Sequence, residues 1–161
     1  MEFFTADLSD DHRDSAQVAE PLLTNYGGAV KCSGPIVTLR LNEHNGDLIT
    51  LLKSEGNGRI AVVDVDAAYY AVVGENLMKF AHQNGWNGIV INGYVRDTHI
   101  TRTVPVGLWA LGTCPRKSHE PKPGELHADI AFAGVAFNEG AWLFADEDGI
   151  VVMPAALAKQ A

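Results

Sequence analysis

The sequence lacks two features that would place the protein in a membrane or on a nucleic acid. No run of apolar residues approaches the roughly 20 that a membrane-spanning helix needs. Basic residues are few: 12 Lys and Arg stand against 20 Asp and Glu, which gives a net charge of −8 at pH 7. Because such a chain repels a phosphate backbone, we predict neither a membrane span nor direct nucleic-acid binding as the main function.

Cysteine is also scarce. Cys32 and Cys114 stand alone, without a CxxC pair, which favours reduced thiols in a cytosolic protein and leaves a disulfide between them open. The N-terminal segment "MEFFTADLSDDHRD" is acidic from its second residue and has neither the basic flank nor the apolar stretch of a secretion signal. We therefore expect a cytoplasmic protein.

Several catalytic signatures are missing as well. The six histidines form no HExxH motif and no zinc spacing, and the chain contains no G-x-S-x-G, P-loop or GxGxxG motif. What the sequence does have is 47% hydrophobic and 20% charged residues over 161 residues. This composition is typical of a compact globular protein of one domain, so we predict a single domain over residues 1–161.

The spacing of apolar residues predicts a mixed α/β fold. Apolar or alternating runs at 36–41 (half-buried), 59–65 and 86–93 indicate strands, and helices are expected from Asn45 onward and from Gly74 to Gly85. A strand, a helix and a strand in this order make a βαβ unit with parallel strands. The last third, from "ADIAFAGVAF" to "IVVMP", has the short, turn-separated runs of antiparallel strands.

Secondary structure is predicted for the first and last segments of the sequence as well. "TADLSDDH" predicts a short helix with Thr5 as its N-cap and acidic residues in the first turn. "AALAKQA" at the other end is expected to be a tail.

Gly74 is the first candidate for a binding role. A glycine that opens a helix leaves the first amides, here those of Glu75, Asn76 and Leu77, without intrahelical partners, and such amides can bind a carboxylate or phosphate. A simple turn is the alternative interpretation, and for an isolated glycine it is the favoured one.

Arg96 and Asp97 are the second candidate. They follow the apolar strand "GIVI" and the segment "NGYV", which is interpreted as a turn, and ligands of open α/β sheets bind beyond the carboxyl ends of strands. Arginine matches a carboxylate with two hydrogen bonds, and aspartate is a hard oxygen ligand that suits Mg²⁺ or Mn²⁺. An exposed turn explains the dipeptide alone, whereas Gly74 and Arg96–Asp97 together indicate a site for a carboxylate and a cation.

Several other polar residues allow both a functional and a purely structural interpretation. Asp64 and Asp66 either border the site predicted at Gly74 and Arg96–Asp97 or end a strand in solvent. The segment "CPRKS" is either a small anion-binding patch or an exposed loop. The segment from Asp146 to Gly149 is interpreted as a hairpin turn rather than a calcium loop, because the other EF-hand ligands are absent. His99 either supports the nearby Asp97 or, as the favoured interpretation, is an exposed loop histidine, and His127 is expected to be structural.

Several segments of the sequence jointly resemble one known family, which contains the regulator of ribonuclease activity A and the 4-hydroxy-4-methyl-2-oxoglutarate aldolases. "AEPLLTNYGGAVKCSGPIVTLR" is similar to the family's N-terminal segment, and "VVDVDAAYYAVVGENL" is similar to the segment before its substrate loop. "GWNGIVINGYVRD" matches its strongest motif, a glycine well ahead of an Arg–Asp pair, and "GVAFNEGAWLFADEDGIVVMP" resembles its closing hairpins. The resemblance covers most of the chain.

This resemblance implies an α/β/β sandwich of the swivelling phosphohistidine-domain (RraA-like) type, a homotrimer with active sites between subunits. It implies a divalent cation, Mg²⁺ or Mn²⁺, at Asp97 and a keto acid such as pyruvate or oxaloacetate at Arg96. The loop Gly74–Glu75–Asn76–Leu77 would supply backbone amides to the substrate's carboxylate. Glu75 stands where catalytic members carry an acid near the metal's water.

Two positions depart from the family pattern. Ile100 stands where catalytic members usually carry a further Asp or Glu, three residues beyond the Arg–Asp pair, and Val65 replaces the usual glycine after Asp64. The first departure bears on proton handling, and so on rate and substrate range. Asp97, which members known only as ribonuclease regulators commonly lose, is present.

The sequence therefore leaves three functional hypotheses. The intact Gly74, Arg96 and Asp97 favour a class II, metal-dependent lyase that releases pyruvate from 4-hydroxy-4-methyl-2-oxoglutarate-type substrates by retro-aldol cleavage and decarboxylates oxaloacetate. The missing acid at Ile100 favours the other two. One is a regulator of ribonuclease E that acts by protein–protein binding without catalysis, and the other is a keto-acid-binding module without turnover.

Overall fold

The computed structural model of the protein describes residues 2–155, so most of the predicted tail, residues 156–161, lies outside the described residues. The helices are α1 (Thr5–Asp11), α2 (Gly46–Lys53), α3 (Glu75–Gln83) and α4 (Thr98–Thr101). The strands are β1 (Gln17–Val18), β2 (Thr24–Asn25), β3 (Cys32–Arg40), β4 (Ile60–Asp64), β5 (Ala71–Val73), β6 (Gly88–Asn92), β7 (Tyr94–Val95), β8 (Gly107–Ala110), β9 (Gly112–Thr113), β10 (Glu125–Leu126), β11 (Ile130–Phe132), β12 (Val135–Phe137), β13 (Trp142–Ala145) and β14 (Ile150–Met153).

A mixed sheet forms the centre of the structure. Within residues 2–155 its strand order is β1-β14-β13-β3-β4-β6-β8-β2, with β10 also paired to β3. Strands β3, β4, β6 and β8 pair with one another in parallel. Strands β13, β14 and β1 extend the sheet from β3 in antiparallel fashion, and β2 pairs antiparallel with β8 at the other edge. The predicted βαβ unit is present as β4-α3-β6, and the predicted antiparallel strands of the last third are also confirmed.

The central sheet separates two apolar cores. Along β4, Ala61 and Val63 contribute to the core beneath α2 and α3, while Ile60 and Val62 contribute to the other, as the twofold alternation of a strand requires. The second core is closed by the hairpin β11–β12 and by side chains of β13 and β14. The layers are therefore helix, sheet and a smaller β layer, which confirms the predicted α/β/β class.

A second, smaller parallel sheet carries the elements that build the site. It has the strand order β5-β7-β9, and each of its strands immediately precedes a segment singled out in the sequence. The interpretation of "NGYV" as a turn is therefore wrong, because Tyr94 and Val95 form the central strand β7 of this sheet. Two-residue strands carry too little apolar periodicity to be recognised in a sequence.

Two further local predictions need correction. Phe4 is the N-cap of α1, and Thr5 is its first helical residue, because the buried Thr5 hydroxyl instead donates to the carboxylate of Asp146 at 2.6 Å. Strand β3 is buried along most of its length rather than on one face, since layers cover it on both sides. A strand between two layers loses the polar alternation of a half-exposed one.

Neither cysteine forms a disulfide in the structure. Cys32 and Cys114 are both free and buried, and burial raises the pKa of the Cys32 thiol to about 12, so this sulfur is a poor nucleophile. Among the described residues, no helix has the length and apolar character needed to cross a membrane.

Candidate active site

The carboxyl ends of β5, β7 and β9 bring three distant segments together. Gly74 follows β5, Arg96 and Asp97 follow β7, and the loop that begins at Cys114 follows β9. The amide of Arg96 donates to the carbonyl of Val73 at 2.9 Å, and the amide of Cys114 donates to the carbonyl of Val95 at 3.0 Å. The general rule that ligands bind beyond the carboxyl ends of parallel strands thus applies to this small sheet.

Gly74 and Asp97 are in direct contact. The amide of Glu75 donates to Oδ2 of Asp97 at 3.0 Å, so the aspartate accepts one of the amides that the start of α3 leaves free. A Cβ on Gly74 would lie 2.5 Å from the same Oδ2. The backbone of Gly74 is extended, with φ −144° and ψ −154°, so the glycine is needed for space and not for its conformational freedom.

Asp97 has an unusual backbone for a residue with a side chain. Its φ of 58° and ψ of 37° lie in the left-handed region, which aspartate tolerates better than most residues but which still costs energy. The residue caps the short helix α4, and its carbonyl accepts the amides of Ile100 and Thr101. This conformation turns the side chain back toward Gly74.

Arg96 is held so that part of its guanidinium stays free. Its Nη1 donates to the carbonyl of Pro115 at 3.3 Å, which ties the arginine to the "CPRKS" loop. A guanidinium has five N–H donors, so the remaining ones are available to a ligand. The arrangement fits a carboxylate that approaches between Arg96 and the start of α3.

Glu75 has two separate contacts. Its amide binds Asp97, while its carboxylate pairs with Lys79 one turn further along α3, at 2.7 Å. The Glu75 side chain is about 41% exposed, so this pair lies in solvent and holds the carboxylate weakly.

One cavity of about 280 Å³ collects the predicted residues. The six predicted residues that line it are Gly74, Glu75, Asn76, Leu77, Arg96 and Asp97. This volume lies just below the range of about 300–1,000 Å³ for small-molecule sites, which suits a metabolite of few atoms. The structure therefore gathers every predicted site residue at one place, although the roles assigned to them remain predictions.

The carboxylate of Asp97 is a hard oxygen ligand that this cavity offers without an ion-pair partner in the described part of the chain. The residue is half-buried. In the described part of the chain, no group of three or more His, Cys, Asp or Glu side chains is placed to hold a metal ion. A single carboxylate with water and substrate completing the shell is nevertheless an arrangement that Mg²⁺ accepts, so the residues present fit such a cation.

The other sequence candidates lie outside this cavity. The Oδ1 of Asp64 accepts the side-chain amide of Asn92 and the backbone amide of Asp66, both at 2.9 Å, and neither aspartate lines the site. Ile100 lies on α4 and His99 is exposed as expected; neither contributes to the lining.

His127 and the Asp146 turn have structural roles, as expected. Nδ1 of His127 lies 3.0 Å from the Glu139 carboxylate, which also accepts the amide of the buried Thr38. Asp146 begins the hairpin turn between β13 and β14 and binds the N-terminal helix through Thr5.

The sequence reasoning missed part of the lining. The additional side chains are Asn45, Ile49, Lys53, Phe80 and Lys117. Lys117 belongs to "CPRKS", which was considered as an anion patch, whereas Lys53 gave no local signal because a lysine at the end of a helix is ordinary. Asn45 joins the site because its side-chain amide donates to the carbonyl of Val72 on β5 at 3.0 Å.

Comparisons with known proteins match nearly the whole chain. The family model "RraA-like: Aldolase/RraA" matches residues 5–152. A protein of Xanthomonas campestris pv. campestris (strain B100), named "Putative 4-hydroxy-4-methyl-2-oxoglutarate aldolase", is 41% identical over 158 residues, 98% of this chain and 95% of that protein.

Two solved structures share the fold over nearly the whole chain. The RNA-processing inhibitor RraA from Thermus thermophilis is 37% identical with a TM-score of 0.90, and the match covers 96% of this chain and 94% of that one. A structure described as S-adenosylmethionine: 2-dimethylmenaquinone methyltransferase from Geobacillus kaustophilus HTA426 is 35% identical with a TM-score of 0.93, covering 99% of both chains.

The fold and the site define an α/β/β protein with a small cavity lined by Arg96, Asp97 and two lysines. The chain belongs to the RraA-like family. Because the similar proteins carry three different functional descriptions, the family alone does not select the activity, and the choice depends on the residues of the cavity.

Proposed function

We propose that the protein is a divalent-metal-dependent lyase that releases pyruvate from 4-hydroxy-4-methyl-2-oxoglutarate-type substrates and also decarboxylates oxaloacetate. The observation that supports this most is the convergence of the α3 amides, Arg96 and Asp97 at one cavity. The names of the curated relatives support the aldolase reaction in particular. In both reactions the bond between C3 and C4 of a 2-oxo acid breaks and pyruvate is released.

Asp97 is the residue that would hold the cation, as Mg²⁺ or Mn²⁺. The chemistry that such a cation supplies is Lewis-acid stabilisation of the negative charge that develops on the keto acid as the C3–C4 bond breaks. Asp97 is suited to this position because its carboxylate faces the cavity and its strained backbone is fixed by α4. Strain of this kind is found at functional sites more often than elsewhere.

Arg96 and the start of α3 would bind and orient the substrate. The free guanidinium donors and the amides of Asn76 and Leu77 offer hydrogen bonds to the C1 carboxylate, and the partial positive charge of the helix start adds to them. Fixing this carboxylate places C3 and C4 at the reacting position, and such positioning lowers the barrier. Glu75, at the same helix turn, would accept or return the proton that the reaction moves.

A coupled lactate dehydrogenase assay tests the proposal by measuring pyruvate. We expect release from both substrates with Mg²⁺ or Mn²⁺, loss of release in EDTA, and loss of release in Asp97→Ala. Asp66→Ala is the matched control, since Asp66 is also an aspartate in the left-handed region, with φ 50°, and is exposed outside the cavity. Because free cations decarboxylate oxaloacetate slowly, equal rates for wild type and Asp97→Ala at one metal concentration would contradict the proposal.

We propose that the protein works as a homotrimer. Exposed apolar side chains support an interface: Val18 and Val30 are 58% and 59% exposed and line one common hollow, and neighbouring Leu22 is 51% exposed. Apolar surface gathered in this way is typical of protein–protein contacts. Light scattering should give three times the chain mass of 17.3 kDa, and a monomer would contradict it.

A second candidate function is regulation of a ribonuclease by protein–protein binding. It is supported by the structural likeness to the RNA-processing inhibitor from Thermus thermophilis. Capture of ribonuclease E that is unchanged by Arg96→Ala, together with no metal-dependent pyruvate release, would favour this function over the lyase.

A further inference from the structure

Lys53 and Lys117 line the same cavity as Arg96 and Asp97. Lys53 is the last residue of α2, and Lys117 belongs to the loop after β9. The cavity therefore has three cationic side chains at its wall, in a chain whose net charge is −8. Two carboxylates, those of Glu75 and Asp97, line the same wall, so the cations are in excess by one, which favours a negatively charged ligand.

These three cations have no internal carboxylate partners. The ion pairs formed within residues 2–155 are Lys31–Glu2, Arg40–Glu125, Lys79–Glu75, Lys122–Glu43 and His127–Glu139. None of them includes a cation of the cavity wall. The Glu75 carboxylate, which also lines the cavity, contacts Lys79 and forms no ion pair with Lys53 or Lys117 in the described part of the chain.

The ammonium group of Lys53 lies close to an aromatic ring of α3. Its Nζ lies 4.8 Å from the centre of the Phe80 ring, a distance at which the ring attracts the ammonium group. Phe80 is five residues beyond Glu75 on α3, which corresponds to about 7.5 Å along the helix axis. The ammonium of Lys53 therefore lies beside Phe80 of α3, in the same cavity that the residues at the start of this helix line.

We propose that Lys53, together with Lys117 of the same cavity wall, binds the second carboxylate of the substrate and makes the cavity selective for 2-oxo dicarboxylates over 2-oxo monocarboxylates. This inference rests on the proposed function, because it takes Arg96 and the α3 amides as the site of the first carboxylate. Both substrates proposed above carry a second carboxylate, and the inference assigns that group to a residue of this chain.

Binding of two stable ligands separates this inference from the reaction itself. Isothermal titration calorimetry with Mg²⁺ present would compare pyruvate, which has one carboxylate, with 2-oxoglutarate, which has two. We expect the wild type to bind 2-oxoglutarate several times more tightly than pyruvate. We expect Lys53→Met to weaken 2-oxoglutarate about fivefold, the effect of one partly exposed charge pair, and to leave pyruvate within about twofold.

Lys31→Met is the matched control, since it removes the same charge from a lysine that contacts Glu2 and Phe4 far from this cavity. It should leave both affinities unchanged. The double variant Lys53→Met/Lys117→Met should abolish the preference for 2-oxoglutarate while pyruvate still binds. Lys53 and Lys117 are exposed, so the variants are expected to fold, and a melting curve checks this.

Equal wild-type affinity for the two ligands, or an equal loss of both in Lys53→Met, would overturn the inference and leave the lyase proposal standing. Failure of both ligands to bind the wild type would instead count against the keto-acid site itself. The two failures are therefore distinguishable in one set of titrations.

Discussion

Asp97 and Asp146 are two aspartates that follow short strands and that the structure uses in opposite ways. Asp146 is 8% exposed, and its two oxygens accept the amide and hydroxyl of Thr5 and the amide of Asp148. Asp97 is half-buried, accepts the amide of Glu75 and faces a cavity. The fold consumes the hydrogen-bonding capacity of the first carboxylate and leaves much of the second available to a ligand.

Asp97 and Asp146 also differ in backbone conformation and in the groups that surround the carboxylate. Asp97 is held in the left-handed region next to Arg96. Burial raises the pKa of Asp146, but the hydrogen bonds from Thr5, Asp148 and Gly149 outweigh it and bring that pKa below its usual range. Free lone pairs on a residue with a strained backbone suit a ligand-binding role, whereas a saturated buried carboxylate suits a stabilising one.

The largest expected effect comes from Asp97→Asn. Asparagine also tolerates the left-handed region and its side-chain oxygen can still accept the Glu75 amide, so the melting temperature should stay within about 2 °C. Pyruvate release should fall roughly a thousandfold, because the charge that would hold the cation is gone. Calorimetric melting and the coupled assay measure the two quantities, with Asp66→Asn as control. If the variant lost activity because it unfolds, Asp97 would be a stabilising residue like Asp146, and the proposed difference between the two aspartates would be wrong.

Gly74→Ala should give the next largest effect. The new Cβ would lie 2.5 Å from Oδ2 of Asp97 and must displace that carboxylate, and a displacement of this size costs about a hundredfold in rate. Gly112→Ala is the matched control in the same small sheet, since its Cβ would meet the Tyr94 ring at an ordinary 3.4 Å. The coupled assay should separate the two variants clearly, and similar activities would show that the contact between Gly74 and Asp97 is not required.

Asp146→Ala should show the opposite behaviour. Removing the carboxylate leaves the buried amide and hydroxyl of Thr5 without their acceptor, which should cost about 2 kcal/mol of the free energy of unfolding. The melting temperature should then fall by about 4–8 °C, while the rate of the folded protein stays unchanged.

The pH dependence of this effect has a definite sign. The pKa of Asp146 in the folded state lies below the unfolded value of about 3.9. Its stabilisation is therefore fully present above that value and is lost as the pH falls through the folded pKa. Wild type and Asp146→Ala should differ in melting temperature at pH 7 and converge in strong acid, and a constant difference down to low pH would contradict the role of the charge.

The smallest expected effect concerns Glu139, which shares features with both aspartates. Its side chain is 37% exposed, yet its carboxylate accepts from Thr38 and His127. Burial raises the pKa of Glu139, but these hydrogen bonds outweigh it and the net pKa is lowered. The stabilisation is present above the unfolded pKa of about 4.3 and is lost below it as the pH falls.

Glu139→Gln should therefore cost about 0.5 kcal/mol at pH 7 after allowance for solvent screening, measured by urea unfolding. Glu125→Gln is the control, because Glu125 makes an exposed pair with Arg40 at 3.6 Å and should change stability even less. A larger loss in Glu125→Gln than in Glu139→Gln would contradict the importance of the Thr38 contact.

Much of the fold was predictable because its strands and helices have strong local signals. The β-branched run at β4, the helix after Gly74 and the closing hairpins follow from apolar spacing and turn residues. The strands β5, β7 and β9 were not predictable, since segments of two or three residues have no period to recognise. Their pairing, and not their composition, makes them a sheet.

The candidate site divides in the same way. Gly74, Arg96 and Asp97 could be selected because glycine before a helix and an Arg–Asp pair after a strand have recognisable chemistry. Lys53, Phe80 and Asn45 could not, because their residue types are ordinary for the elements in which they occur. They acquire significance only through the packing of α2 beside α3.

By itself, the sequence determined the alternation of strands and helices, the acidic charge and the residues with the chemistry for an anion and a cation. Tertiary structure decided that Asp97 lies against Gly74, that Asp146 is saturated by Thr5, and that Lys53 faces the same cavity as Arg96. The physical reason is that local signals act over a few residues along the chain. A binding site instead depends on contacts between segments that only folding brings together.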